Sequence, residues 1–185
     1  LRGSNAVRSY TVPPRWLLDC ELQQGLSVMV GLPWEQHIAF LDDSERRHNI
    51  TKSVRAGVRA CAGHPPVLCY SIGNEIPAPI CRWHGARRIE RWFRHLYDAA
   101  KFEDPDTLVT YVNFPSTEYL RLRFLDFITF NVYLEKQEKL EAYLARLQNL
   151  AGEKPLVMAE IGLDSRRNGE EAQARVLDWQ VRTTM

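Results

Sequence analysis

Six short apolar runs alternate with helical periods along the whole chain, and this alternation restricts the fold more than any other feature. A strand, a helix and a further strand in strict succession build a parallel sheet with the helices outside it. The strand-like runs cover 5–10, 26–32, 67–72, 107–113, 127–132 and 155–159. Their near-continuous apolar character suits strands buried on both faces. Helical spacing covers 15–24, 45–62, 86–102, 136–151 and 170–181, with a short helical piece at 116–122. Pro13-Pro14 opens the first helix and Gly25 closes it, the usual asymmetry of proline at the start and glycine past the end. Ile50, Val54, Val58 and Cys61 recur every three or four positions before Gly63 and Pro65-Pro66, which predicts one apolar helix face and then a stop.

Two α/β architectures compete, a doubly wound open sheet and a (β/α)8 TIM barrel. No glycine-rich phosphate loop follows any strand, which disfavours the nucleotide-binding open sheets. Polar and aromatic residues stand at the C-terminal end of nearly every strand, where barrel active sites are assembled. A full barrel needs eight β/α units and roughly 250 residues, against six units in 185 residues. The abrupt start at Leu1-Arg2-Gly3-Ser4 gives the expectation of an incomplete barrel. Residues 1–185 would form a single catalytic barrel domain or a fragment of it, holding the second to seventh β/α units. Further domains of a longer chain would then supply the first and eighth strands and cover the open sheet edges.

Lys and Arg total 24 against 23 for Asp and Glu, so no basic excess invites nucleic acid. Arg82, Arg87, Arg88, Arg91 and Arg94 form a local run, read as the solvated face of an outer helix. The four cysteines and five histidines show no metal-ligand spacing, so no metal and no cofactor is expected. No apolar run reaches the ~18 residues of a membrane span.

Glu75 closes the run Val67-Leu68-Cys69-Tyr70-Ser71-Ile72-Gly73-Asn74, and Glu160 closes Pro155-Leu156-Val157-Met158-Ala159. A carboxylate where a buried strand runs out is costly to keep dry and adds little packing. Two of them suggest paired carboxyl chemistry, as in glycoside hydrolysis. Each could instead be a solvated or arginine-paired strand end. Trp34 and Trp83 are placed in loops after strands, where an indole face can stack on a sugar ring or plug a local gap. Glu35 and His37 share the loop of Trp34 and would line a cleft. Trp16, Trp92 and Trp179 fall in helices and are expected to pack.

Several motifs carry a family resemblance in order along the chain. Asn5-Ala6-Val7-Arg8-Ser9-Tyr10 with Pro14-Arg15-Trp16-Leu17-Leu18-Asp19 resembles the second strand and helix of the catalytic barrel of glycoside hydrolase family two. Tyr70-Ser71-Ile72-Gly73-Asn74-Glu75 resembles its fourth strand and that of the wider clan of retaining β-glycosidases. Asp126-Phe127-Ile128-Thr129-Phe130-Asn131-Val132-Tyr133 resembles the sixth strand, and Lys154 to Gly162 the seventh. The resemblance implies Glu75 as general acid/base, Asn74 as partner of the sugar 2-hydroxyl and Glu160 as nucleophile. It places Arg8 near the nucleophile and Tyr133 in a hydrogen bond to it, while Asn131 supports its strand end. Arg8 also reads as a structural salt-bridge residue, Tyr133 as a core tyrosine, and Asn113 stays open between sugar contact and support.

In a retaining enzyme the two carboxyls would stand about 5–5.5 Å apart. The implied substrate is a β-linked oligosaccharide or glycoside: a β-galactoside, β-glucuronide, β-mannoside or β-glucan. A transglycosylase or glucan-remodelling module with the same residues, and a non-catalytic glycan-binding barrel, are the competing functions.

Overall fold

The computed structural model of the chain describes residues 3–185. Leu1 and Arg2 of the abrupt start lie outside the described residues. The chain forms two compact units, one ending at Asp126 and one running from Phe127 to Met185.

The first unit holds four parallel strands: β1 (Ala6–Ser9), β2 (Ser27–Gly31), β3 (Val67–Asn74) and β4 (Leu108–Asn113). They pair in chain order, β1 with β2, β2 with β3 and β3 with β4. Helices α1 (Arg15–Gln23), α2 (Ser44–Cys61), α3 (Ala78–His84) and α4 (Ala86–Glu103) fill the connections. The core of this unit joins Val28, Val30 and Ile72 of the sheet to Val54, Val58, Phe93 and Leu96 of the helices. The α2 face predicted from Ile50, Val54, Val58 and Cys61 is buried throughout. Asp43 caps α2 by accepting the Arg46 N–H at 3.0 Å. On the outer side Glu103 of α4 receives Arg55 and Arg59 of α2, tying the two helices together.

The second unit holds β5 (Ile128–Asn131) and β6 (Leu156–Glu160), paired in parallel, with α5 (Gln137–Ala151), α6 (Ser165–Asn168) and α7 (Glu170–Thr184). Phe130, Val132, Leu140 and Leu147 form its core, with Trp179 packed against them.

The structure corrects several expectations. The 77–83 stretch is not a loop, because α3 occupies it. Its prolines sit at the threshold and in the first turn, where a missing N–H costs nothing. The helical piece expected at 116–122 shrinks to a 3-10 turn at Pro115–Thr117. Trp92 is buried as expected, but Trp16 is 64% exposed on α1 and does not pack into the core. The five arginines of the local run are all exposed. All four cysteines are free thiols, and burial pushes Cys69 up to about 12 and Cys81 up to about 11. Among the described residues no group of His, Cys, Asp and Glu could hold a metal ion, and no helix is long and apolar enough to cross a membrane.

Candidate active site

Glu75 stands one residue past β3, and its backbone is the unusual feature of the first unit. Among the described residues it is the non-glycine residue with positive φ, at 51°. The left-handed region pushes Cβ against the neighbouring carbonyl and costs an L-residue about 1–2 kcal/mol. Such strain persists only where the surroundings over-determine the conformation, and it gathers at active sites.

The surroundings of Glu75 do over-determine it. The β3–β4 register runs Ser71↔Thr110 and then Asn74↔Val112, so β3 carries one residue more than β4 across this step. A bulge of that kind re-aims the side chains that follow. Past it, the Glu75 N–H donates to the Val112 carbonyl at 2.9 Å. The next N–H, of Ile76, donates to the Tyr111 hydroxyl at 2.9 Å. Tyr111 is 1% exposed, its ring packs 4.1 Å from that of Phe93, and burial drives its hydroxyl strongly toward the neutral form.

Asn74 is held from the other side. Arg8 donates to its Oδ1 at 2.8 Å, and the guanidinium lies 4.3 Å over the Tyr10 ring. The buried Gln36 amide accepts the Asn74 N–H at 3.1 Å and donates to the Asn74 carbonyl. Arg8, Tyr10, Trp34, Gln36, His37 and Asn74 line a cavity of about 200 Å³ at this strand end. The candidates Arg8, Asn74, Trp34 and His37 therefore meet at one place, beside the chain position of Glu75.

Trp34 is anchored as well as exposed to that cavity. Its indole N–H donates to the Ile72 carbonyl at 2.8 Å, and its ring meets Phe40 edge-on at 4.8 Å. Glu35 turns away to pair with Arg46 at 2.5 Å. Trp83 sits on α3, 72% exposed, with its indole N–H on Asp42 at 2.8 Å. That bond and Arg88 hold the Asp42 carboxyl below the usual carboxylate range. Asn113 is buried. Its amide accepts the Phe114 N–H at 2.9 Å and the Thr117 hydroxyl at 2.6 Å, and donates to the Thr117 carbonyl at 3.2 Å. Its polar atoms are committed to the turn after β4.

In the second unit Glu160 ends β6. Here too the register slips by one residue, from Phe130↔Met158 to Asn131↔Glu160, so a bulge precedes the carboxylate. The Glu160 carbonyl accepts the Val132 N–H at 2.8 Å. The Tyr133 hydroxyl donates to Glu160 Oε2 at 2.5 Å. Tyr133 is 57% exposed, so it is not the core tyrosine of the competing reading.

Sequence reasoning missed Gln36 and Tyr111. Gln36 lay unread between two residues that were singled out, and Tyr111 looked like any aromatic in a buried strand. A buried glutamine in a loop must find partners for both ends of its amide, but nothing in the sequence says which backbone supplies them.

The model of the glycosyl hydrolases family 2 TIM barrel domain matches residues 19–177. A search among curated proteins found no match. Among solved structures, the β-glucuronidase from Ruminococcus gnavus in complex with D-glucuronic acid superposes with a TM-score of 0.77 at 17% identity, over 97% of this chain and 34% of that one. The same enzyme with uronic isofagomine gives 0.73 at 18% identity, over 97% and 36%. The β-glucuronidase of Bifidobacterium dentium complexed with coumarin-3-O-glucuronide gives 0.73 at 18% identity, over 95% and 33%. The chain thus spans about a third of the length of these enzymes, and the likeness establishes the fold: an α/β chain with six successive units of a (β/α)8 barrel. Together with the family match over most of its length, the chain belongs to the glycosyl hydrolases of family 2, as a portion of their TIM barrel domain.

Proposed function

We propose that this chain forms one catalytic barrel domain, or a fragment of it, of a retaining β-glycoside hydrolase. Glu160 attacks the anomeric carbon while protonated Glu75 donates its proton to the departing oxygen, leaving a glycosyl ester on Glu160. Glu75 then takes a proton from water, whose oxygen replaces Glu160 at the anomeric carbon and releases the sugar. Asn74 holds the sugar 2-hydroxyl, and Arg8 fixes the Asn74 side chain that does so. Tyr133 favours the ionised form of Glu160 by donating to it. Trp34, Trp83 and His37 contribute to sugar subsites, and Asn113 supports the end of β4. Partners are β-linked glycosides, together with further sequence that completes the barrel.

The observation that carries this reading is the strained backbone of Glu75. A glutamate serving only as a solvated strand end gains nothing from a left-handed conformation. One that must present its carboxyl at a fixed point does.

A panel of aryl β-glycosides, the β-glucuronide included, identifies the sugar and tests the chemistry. Glu75→Gln should nearly abolish cleavage of unactivated glycosides and spare the first step on activated aryl ones, whose leaving groups need no acid, while release of the sugar from Glu160 becomes slow because the base is gone. An activated 2-deoxy-2-fluoroglycoside should label Glu160, read by peptide mass spectrometry. Label on another residue, or sugar binding without turnover in the full-length natural chain, overturns the proposal.

A further inference from the structure

We infer that Gln36 is a positioning residue that stands in for a missing stretch of β-strand and thereby fixes the direction of the Glu75 side chain. The inference rests on the assignment of Glu75 as acid/base.

The sheet itself leaves the task open. β2 pairs with β3 only as far as Gly31↔Ser71, with one further bond from the Leu32 N–H to the Ser71 carbonyl at 2.9 Å. β3 continues to Asn74. Along that overhang two side chains from the loop after β2 take up ladder positions. The Trp34 indole N–H bonds the carbonyl of Ile72, and the Gln36 amide bonds both the N–H and the carbonyl of Asn74. Ile72 and Asn74 are two residues apart, the spacing of groups on one strand edge, and the irregularity between Ser71 and Asn74 moves that edge on by one residue from the Ser71 carbonyl. A glutamine side chain ends in the same donor and acceptor pair as a peptide, so it can replace one residue of a partner strand.

The chain makes room for this contact. A Cβ on Gly73 would lie 3.3 Å from Gln36 Oε1 and 3.4 Å from both Phe93 Cε1 and Trp34 Cζ2. These are tight contacts, so a side chain at 73 would require the amide or the rings beside it to shift by a few tenths of an ångström. The Asn74 N–H belongs to the peptide before Asn74 and its carbonyl to the peptide joining it to Glu75. Bonding both fixes two successive peptide planes next to the residue with φ of 51°. Gln36 itself is 9% exposed, and a buried amide is tolerated only when its hydrogen bonds are made.

The test is the dependence of kcat/KM on leaving-group pKa, measured for Gln36→Leu and Gln36→Glu in the full-length natural chain. Gln36→Leu removes both bonds. Gln36→Glu keeps the volume and the acceptor for the Asn74 N–H but has no donor for its carbonyl. A positioned acid supplies roughly 10²–10⁴-fold, so loss of positioning should cost about tenfold or more on a methyl glycoside. A dinitrophenyl glycoside should be turned over almost as well as by the wild type. An equal loss on both substrates, or none on either, overturns the inference, as does failure of both variants to fold, because Gln36 would then serve the fold alone. Glu75→Gln measured alongside separates the two levels. If that variant hydrolyses the methyl glycoside like the wild type, the acid/base assignment falls. If it does not, and the Gln36 variants show no leaving-group dependence, only the role of Gln36 falls.

Discussion

Replacing Glu75 by glycine should give a more stable protein than replacing it by alanine, the reverse of the usual order. Both substitutions delete the carboxylate, so its interactions drop out of the comparison and only the backbone remains. At an ordinary extended or helical position, glycine is worse than alanine by about 0.5–1 kcal/mol because the unfolded chain has more freedom to lose. At φ of 51° alanine keeps the Cβ clash of the left-handed region, about 1–2 kcal/mol, and glycine does not. At the middle of both ranges the difference leaves glycine ahead by about 0.75 kcal/mol. For a chain of this size that is a rise in Tm of about 1–4 °C. Urea and thermal unfolding of the two variants in parallel measure it. Their activities on unactivated glycosides should be equally low, since both lack the carboxyl proposed as the acid. If alanine is the more stable by the ordinary margin, the backbone at Glu75 is relaxed and the strain argument for its role is wrong.

Three further outcomes follow from the geometry. Tyr133→Phe removes the hydroxyl that donates to Glu160. A dry bond to a charged group is worth about 1.5–3 kcal/mol, but Tyr133 is 57% exposed, so kcat should fall by about tenfold. An unchanged kcat would remove Tyr133 from the reading. Burial holds the His84 imidazole below its ordinary value, outweighing the pull of Asp42. The folded state therefore prefers neutral His84 and the unfolded state binds the extra proton. The associated stability is present above about pH 6.5 and is lost as pH falls through the folded-state value. Urea midpoints measured across this range should fall with acidity, and His84→Gln should flatten that part of the slope; an unchanged slope would refute it. Gly31→Ala would place a Cβ 2.7 Å from the Ser9 carbonyl oxygen and 2.9 Å from that of Tyr10. Backbone cannot yield as a side chain can, so the variant should lose about 1–3 kcal/mol in urea unfolding. A loss within error would mean that the β1–β2 contact is looser than described.

The alternation of apolar runs was enough to read the parallel β/α units, because burial on both faces writes itself into every strand residue. Helix faces such as Ile50, Val54 and Val58 were legible for the same reason. The α3 helix was not: its seven residues are too few for a clear period, and Pro77 and Pro79 argued for a loop. Glu75 and Glu160 could be picked out because a carboxylate is conspicuous at the end of a buried strand. What makes each strand end special could not be read. Both bulges arise from one extra residue relative to a neighbouring strand, and register is a property of two segments that neither sequence contains alone. Asn113 stayed open for a related reason, since an amide looks the same whether it faces a ligand or ties down a turn four residues on.

The loop after β2 is divided by what its side chains touch. Trp34 and Gln36 are bolted to β3, and Phe40 and Leu41 are buried beyond them. Between the two anchors only His37, Ile38 and Ala39 stand exposed. Variation is therefore channelled: a three-residue tip, flanked by fixed posts, can be lengthened or exchanged without disturbing the peptide planes beside Glu75. A graft that replaces 37–39 and leaves both posts would alter which glycosides enter while inheriting the reaction. A graft that begins two residues earlier would take Gln36 with it and should slow cleavage of unactivated glycosides as well as changing the preference.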